Sequence, residues 1–240
     1  LVFSSLTKAA SSITSSQPNI VFIFSDDHAT QALSAYGHEI SKIAQTPHID
    51  KVATQGIRFD RCLVGNSICG PSRATILTGT YSHINKFYSN ERTAFDGSQP
   101  TFPKILQANN YQTALIGKWH LASDPTGFDH WEILPGQGSY YNPDFVTPNG
   151  THREEGYVSE LVTKKALTRL QHQRKEKQPF LLMVQHKAPH RDWSPAPKYL
   201  DLYDNVTFPE PDTLFDDYAG RGSAARDQDM TIDKSMFLGS

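Results

Sequence analysis

The sequence predicts an α/β fold of three layers, in which a mostly parallel central sheet carries helices on both faces. Three short apolar runs, at residues 20–24, 111–116 and 179–184, predict strands that are covered on both faces, because such strands lack polar alternation. Helical segments lie between these runs. The alternation of strands with helices is what indicates a parallel sheet.

Proline, glycine and residue spacing predict the helices in chain order. Pro47 directly follows Thr46, a capping residue, and Gly56 predicts the end of that helix. A strand is expected to begin after Gly56, and a second short helix is expected over residues 101–108. Residues 124–151, rich in glycine, proline and aromatic residues, predict a structured loop. A longer helix is expected from about residue 157 to 175, with this apolar stripe: Val158, Leu161, Val162, Ala166, Leu167 and Leu170.

Composition excludes several classes of protein. The formal net charge of −2 gives no electrostatic argument for a nucleic-acid or membrane partner, and no apolar run is long enough to span a membrane. Two cysteines, Cys62 and Cys69, form neither a disulfide framework nor a zinc-ligand set. Their separation in the sequence is compatible with a disulfide between them. Without that disulfide, Cys62 is expected to be a small buried hydrophobe.

The Ser/Thr/Ala-rich residues 1–17 begin without Met. They are expected to form a disordered leader or the remnant of a secretory signal, followed by a catalytic region over residues 18–240. This reading predicts an exported protein, either periplasmic or secreted.

Polar side chains follow each of the three predicted strands. Asp26 and Asp27 follow the first, Lys118 and His120 the second, and His190 the third. Sites in parallel sheets lie beyond the carboxyl ends of the strands, so we expect one composite site. Alone, the Asp26-Asp27 pair is more typical of a helix cap than of a metal site. The flanking clusters favour a site for a hard divalent cation.

Four motifs then carry a family resemblance. The run Cys69-Gly70-Pro71-Ser72-Arg73, followed by Thr78-Gly79, has the form C-x-P-S-R-x-x-x-x-T-G. Residues 18–27 combine an apolar strand with two aspartates, Gly117-Lys118-Trp119-His120-Leu121 reads G-K-W-H-L, and Ala188-Pro189-His190 reads A-P-H. In this order the motifs resemble those of the type I sulfatases, from residue 18 to at least residue 193. The resemblance implies an alkaline-phosphatase-like fold.

The resemblance also implies a nucleophile and a metal. A formylglycine-generating or anaerobic maturation enzyme would oxidise Cys69 to formylglycine, whose hydrate attacks sulfur. Asp26 and Asp27, with an oxygen of the modified residue 69, would bind Ca²⁺. Arg73 would hold the nucleophilic oxygen from one helical turn after residue 69.

The remaining roles concern sulfate and protons. By resemblance, Lys118 would contact sulfate oxygens as a point charge, and His120 would act as the base that expels sulfate. Lys118 and His120 are expected to point to the same side of an extended segment. His190 would bind sulfate and protonate the leaving alcohol. The role of His28 stays open. The following histidines are interpreted as ordinary surface or hydrogen-bonding residues: His38, His48, His83, His130, His152 and His172.

The substrate implied by the resemblance is a sulfated carbohydrate, and the N-acetylglucosamine-6-sulfatase and mucin-desulfating enzymes are the leading subgroup. Alternatives are a phosphoester or phosphonate hydrolase on the same scaffold, and a non-catalytic homologue that binds anions or glycans. A thiol hydrolase is disfavoured, because its cysteine would need a dedicated His partner. The family's later Asp-Asn or Asp-His pair and second sulfate-binding lysine are not found. The chain is therefore expected to be a C-terminally truncated catalytic domain that binds calcium poorly and turns over slowly.

Overall fold

A computed structural model describes residues 17–91, 93–229 and 231. The chain divides into two compact units, one of Leu1–Ala29 with Arg58–Leu200 and the other of Thr30–Ile57 with Asp201–Ser240. Apart from Gln17, the predicted leader lies outside the described residues.

The first unit is built on a six-stranded sheet with the order β1-β6-β2-β3-β4-β5. Neighbours among β1, β6, β2 and β3 pair in parallel, whereas β3–β4 and β4–β5 pair antiparallel. The predicted mostly parallel sheet is therefore confirmed. The strands are β1 Ile20–Phe24, β2 Gln112–Lys118, β3 His130–Leu134, β4 Asp144–Thr147, β5 Gly150–Arg153 and β6 Phe180–Gln185.

Helices cover both faces of this sheet. The helices of this unit are α2 Cys69–Thr78, α3 Ser82–Asn85, α4 Phe102–Ala108 and α5 Val158–Thr168, which continues as a π-helical turn over Arg169–Gln173. One core cluster joins Ala74 and Leu77 of α2 to strand residues Leu115 and Met183, and Phe102 and Leu106 of α4 pack against it. The other joins Val158, Val162 and Ala166 of α5 to Ile116 and Leu182. Each large apolar side chain buried in this way contributes about 1.5–3 kcal/mol. The predicted three layers are present.

Two parts of this unit differ from the sequence-based expectation. The strand expected after Gly56 does not form within the described residues, and the loop side chains Phe59 and Leu63 are exposed. Without a strand partner the backbone of this segment has no ladder to join. For the same reason Cys62 is exposed rather than buried, and both cysteines are free rather than joined in a disulfide.

The predicted loop over residues 124–151 instead contains β3, β4 and the start of β5. β4 and β5 form a hairpin in which Thr147 pairs with Gly150. Asn149-Gly150 at its turn is a hairpin signal that the sequence reading missed. Gly150 has a φ of 122°, in the region that favours glycine.

The second unit contains α1 Pro47–Gln55, three short 3₁₀ turns and α6 Ser223–Arg226. α1 begins and ends where Thr46-Pro47 and Gly56 predict. The Asp50 carboxylate accepts hydrogen bonds from the Ser34 hydroxyl (2.5 Å) and the Ala35 amide (2.8 Å). These bonds tie α1 to the 3₁₀ turn Ser34–Tyr36. Among the described helices of the chain, none has the length and apolar character needed to cross a bilayer.

Candidate active site

The three strand ends bring their polar side chains together. Asp26 follows β1, Lys118 is the last residue of β2, and His190 lies beyond β6. The Lys118 ammonium contacts the Asp26 carboxylate, and His190 Nε2 lies 3.6 Å from Asp27 Oδ2. The convergence expected from a parallel sheet is therefore confirmed as geometry.

Cys69 is the first residue of α2, after the extended residue Ile68. The Gly70 amide donates to Asn90 Oδ1 at 2.8 Å, and a Cβ at position 70 would lie 2.6 Å from the Phe87 ring. Glycine is needed there because any side chain would push the start of the helix away. Among the described residues, ligand atoms of Asp26, Cys69 and His190 lie within 4.8 Å of one another, close enough to share one metal ion.

Arg73 lies one turn further along α2, and its side chain is buried. Its Nη1 donates to the Lys118 carbonyl (2.6 Å) and to Gln185 Oε1, and its Nη2 lies 3.7 Å from Asp26 Oδ1. Nε and Nη2 are buried without a hydrogen-bond partner. Burial lowers the pKa of Arg73, and the charge of Asp26 opposes that shift. The guanidinium therefore keeps unused donors beside a single buried carboxylate.

Lys118 is fully buried at the end of β2. Besides Asp26, its ammonium donates to Gln137 Oε1 at 2.5 Å. The preceding Gly117 has a φ of 107°, and a Cβ there would lie 2.0 Å from the Gln185 carbonyl oxygen. Only glycine allows β2 and β6 to approach this closely where they deliver Lys118 to the site.

His120 departs from the predicted geometry. Its φ of 53° shows that the chain is no longer extended there, so the extended segment expected over Lys118 and His120 does not form. The strand ends at Lys118, and His120 lies in the turn that follows. Burial, reinforced by the charges of Lys118 and Arg73, lowers the pKa of His120 to about 4. The ring is therefore neutral near pH 7, and its Nδ1 is buried without a hydrogen-bond partner.

His190 has a defined ring orientation. Its Nδ1 lies 2.6 Å from the Arg191 carbonyl oxygen, which can only accept, so Nδ1 carries the hydrogen. Nε2 then faces the side of Asp27. The Asp27 carboxylate is largely exposed, and its backbone has a φ of 60°. His28, which the sequence left open, has its Nδ1 3.5 Å from the Ser25 hydroxyl.

Sequence reasoning missed several residues around this site. Lys187 is buried, its Nζ lies 4.7 Å from the centroid of the Tyr140 ring, and burial together with the charge of Lys118 lowers its pKa. Gln137 and Gln185 contact Lys118 and Arg73. Gln185 and Lys187 could have been found from their place at the end of β6, as His190 was. Gln137 carries no such signal, since it lies in a glycine-rich turn.

The arrangement concentrates positive charge where three strands end. Arg73, Lys118 and Lys187 are buried cations, while Asp26 is buried and Asp27 is exposed. A tetrahedral oxyanion would find donors from a guanidinium and an ammonium here. The donor set also offers carboxylate oxygens to a hard cation.

Comparison with known proteins identifies relatives of this chain. The family model described as Sulfatase matches residues 18–234. The chain is 53% identical, over 223 residues, to an N-acetylglucosamine-6-O-sulfatase of Bacteroides thetaiotaomicron. The matched region covers 92% of this chain and 39% of that protein. It is 32% identical, over 200 residues, to an ulvan-active sulfatase of Formosa agariphila, covering 78% and 38%.

Solved structures agree. The structure of BT4656 in complex with its substrate D-glucosamine-2-N,6-O-disulfate matches with a TM-score of 0.87 and 53% identity, covering 90% of this chain and 44% of that chain. Ps i-CgsB, at 23% identity, matches with a TM-score of 0.72 over 80% of this chain and 49% of its own, which shows the fold alone.

The chain spans about two fifths of the length of these curated relatives. Its mostly parallel sheet with helices on both faces is the alkaline-phosphatase-like fold of the sulfatases. The family model covers nearly the whole described region, and the motif residues converge at the strand ends. The chain belongs to the sulfatase family.

Proposed function

We propose that this chain carries the nucleophile side of a site that hydrolyses sulfate esters on sulfated glycans, with hexosamine 6-sulfates as the leading substrate class. The observation that carries the proposal is the convergence of Arg73 and Lys118 on Asp26 beside Cys69. The substrate class is supported by the name of the Bacteroides relative and by the sugar disulfate in the BT4656 complex. Residues 18–240 would form part of a sulfatase catalytic domain.

Residue 69 would act after conversion to formylglycine, which supplies a hydrated carbonyl whose oxygen is the nucleophile. Cys69 lies at the first position of α2, where free N–H groups favour developing negative charge. Arg73, one turn later, would neutralise an oxygen at position 69 with the donors that lack partners in the described structure. Lys118 would bind sulfate oxygens through its ammonium.

The two histidines would divide the proton transfers. His120 is neutral near pH 7, since its pKa is lowered to about 4, and a neutral ring can accept a proton. His190 holds one hydrogen on Nδ1 and presents Nε2 towards the aspartates. With Nδ1 already holding a hydrogen, a second proton taken from solvent on Nε2 would let the ring donate to a sulfate oxygen and then pass that proton to the leaving alcohol.

A calcium ion would be held by Asp26, Asp27 and the oxygen of modified residue 69. The donor set fits this group, because a carboxylate oxygen of Asp26 lies within 4.8 Å of the residue 69 side chain and Asp27 is the next residue in the chain. Carboxylates supply the oxygen ligands that calcium prefers. When bound, the ion would neutralise and orient the sulfate group. Two carboxylates are few against the about six to eight oxygen ligands that calcium takes, so weak binding by this chain alone is expected.

We also propose an exported location, either periplasmic or secreted. It is supported by one relative that is named an extracellular sulfatase homolog. The maturation enzyme would be a formylglycine-generating or anaerobic one.

The test is co-expression of the chain with a formylglycine-generating enzyme, followed by mass spectrometry of the peptide that contains residue 69. We expect the mass change of thiol-to-aldehyde conversion in the wild type and in Cys62→Ser, and none in Cys69→Ser. Calorimetric titration then compares glucosamine 6-O-sulfate with glucosamine 6-phosphate. A thiol that stays unmodified would favour a non-catalytic binding protein, and a preference for the phosphate would favour a phosphoester hydrolase.

A further inference from the structure

The segment that carries His190 is irregular and is anchored by tyrosine hydroxyls. Residues 190–195 form turns without strand or helix. Three hydroxyls donate to backbone carbonyls within it: Tyr140 to His190, Tyr157 to Ser194 at 3.0 Å, and Tyr141 to Pro195. Because a turn segment has no ladder of its own, such side-chain bonds determine where its backbone lies.

Tyr140 is held more tightly than a surface tyrosine. Its ring is buried and stacks on the Tyr157 ring at a centroid distance of 6.0 Å and an interplanar angle of 17°. The Lys187 ammonium lies 4.7 Å from the Tyr140 ring centroid. A buried aromatic ring that contacts both a second ring and a cation has little room to move. Its hydroxyl therefore reaches the His190 carbonyl from a fixed position.

The bonds around His190 converge on the peptide that orients its ring. The Tyr140 hydroxyl fixes the carbonyl of His190, and Lys187 Nζ lies 3.5 Å from the carbonyl oxygen of Arg191. That same Arg191 oxygen accepts the Nδ1 hydrogen of His190. A shift of this backbone would release the imidazole from the acceptor that selects its tautomer.

We propose that Tyr140, held by Tyr157 and Lys187, is a positioning residue for His190. It fixes the backbone so that the ring keeps its hydrogen on Nδ1 and leaves Nε2 facing the Asp27 side of the site. The use of Nε2 rests on the proposed function, but the tautomer does not. The two can therefore fail separately: an unmodified residue 69 would end the proposed function and leave the tautomer result standing.

The test measures the tautomer directly. Protein labelled with ¹⁵N-histidine is examined by long-range ¹H–¹⁵N spectroscopy at about pH 8, where an ordinary histidine is neutral. His190→Asn assigns the signal. We expect the Nδ1–H form to dominate in the wild type. In Tyr140→Phe the ratio of Nδ1–H to Nε2–H should fall about threefold to tenfold, the range that loss of one hydrogen bond gives.

Tyr141→Phe is the matched control, because it removes a hydroxyl bond to the same segment from an exposed ring. Its tautomer ratio should equal that of the wild type. An unchanged ratio in Tyr140→Phe, or an equal fall in Tyr141→Phe, would overturn the proposal. If Tyr140→Phe does not fold, Lys187→Met provides the test. This variant removes the ammonium beside the Arg191 carbonyl and leaves the Tyr140 ring unchanged. An unchanged ratio in that variant would equally overturn it.

Discussion

Lys165 lies between two carboxylates, those of Glu132 and Glu154, whereas Arg73 and Lys118 both converge on the single carboxylate of Asp26. We call Lys165, Glu132, Glu154, His130 and His152 the Lys165 cluster. We call Asp26, Arg73 and Lys118 the Asp26 cluster. In the Lys165 cluster each glutamate has a histidine as a further partner, at 3.1 Å and 3.0 Å. In the Asp26 cluster two nitrogens of Arg73 are buried without a hydrogen-bond partner.

The pKa shifts express the same difference. Hydrogen bonds from His130 and Lys165 lower the pKa of Glu132 to about 2, against the effect of burial. Burial alone would lower the pKa of Lys165, but its bonds to the two glutamates raise it. In the Asp26 cluster, burial lowers the pKa of Arg73 despite the nearby carboxylate. In the Lys165 cluster each carboxylate contacts both an ammonium and a histidine, while the Asp26 cluster has two cations on one buried carboxylate, an excess that an anion would relieve.

The largest effect is expected at Arg73. Arg73→Met should lower the free energy of unfolding by about 2–6 kcal/mol, about 1–3 kcal/mol for each of two buried acceptors, the Gln185 amide oxygen and the Lys118 carbonyl, that lose their donor. It should also weaken binding of inorganic sulfate, because the Asp26 cluster loses one of its two cations while Lys118 remains. Urea unfolding and calorimetric titration with sulfate measure the two results. Arg153→Met, at an exposed position, should change the free energy by less than about 0.5 kcal/mol.

A sulfate affinity in Arg73→Met equal to that of the wild type would break the comparison, because the excess positive charge would then not serve anion binding.

A smaller effect is expected in the Lys165 cluster. Lys165→Met should lower the free energy of unfolding by about 2–3 kcal/mol, since two partly buried glutamates lose their shared cation. Sulfate affinity should not change, because the one ammonium of this cluster already contacts two carboxylates. The control is Lys164→Met, the exposed neighbour on α5, which should leave both measurements near wild type. Weaker sulfate binding in Lys165→Met alone would show that the two clusters do not act separately.

The sequence predicted the Asp26 cluster better than the Lys165 cluster, for a physical reason. Asp26, Lys118 and His190 each follow an apolar strand, and parallel strands bring their carboxyl ends to one edge. That inference needs only strand periodicity. Glu132 and Glu154 belong to β3 and to the end of the β4–β5 hairpin, which the sequence reading took for a loop. Partners that depend on an unpredicted antiparallel pairing could not be assigned.

The misplaced details have equally local causes. The apolar residues within 57–68 predicted a strand. It does not form, because this segment lacks a strand neighbour among the described residues. His120 lies in a turn at a positive φ, which residue type alone does not reveal. Gln137 and Tyr140 act through tertiary contacts to Lys118 and His190. Such contacts follow from chain packing and carry no motif.

The smallest effect concerns acid stability at the Asp26 cluster. The pKa of His120 is lowered from its ordinary value to about 4, so between about pH 6.5 and pH 4 the unfolded chain binds a proton that the folded chain does not. The free energy of unfolding should therefore fall as pH falls through this window. His120→Asn should flatten that dependence, while His172→Asn, at an exposed position, should keep the wild-type slope.

Urea unfolding at several pH values measures the slope for each protein. Glu132 provides an internal marker at lower pH, because its carboxylate stabilises the fold above about pH 4.5 and loses this effect as pH falls towards about 2. The part of the loss between about pH 6.5 and pH 4 that disappears in His120→Asn thus belongs to the Asp26 cluster. Burial also lowers the pKa of His186, which contributes to the remainder, and the loss below this window includes the Lys165 cluster. Because His120 is only half buried, solvent screens its contribution, and we expect a smaller change than for either cation. An equal slope in wild type and His120→Asn would mean that neither burial nor the nearby cations lower the pKa of this ring in the folded chain.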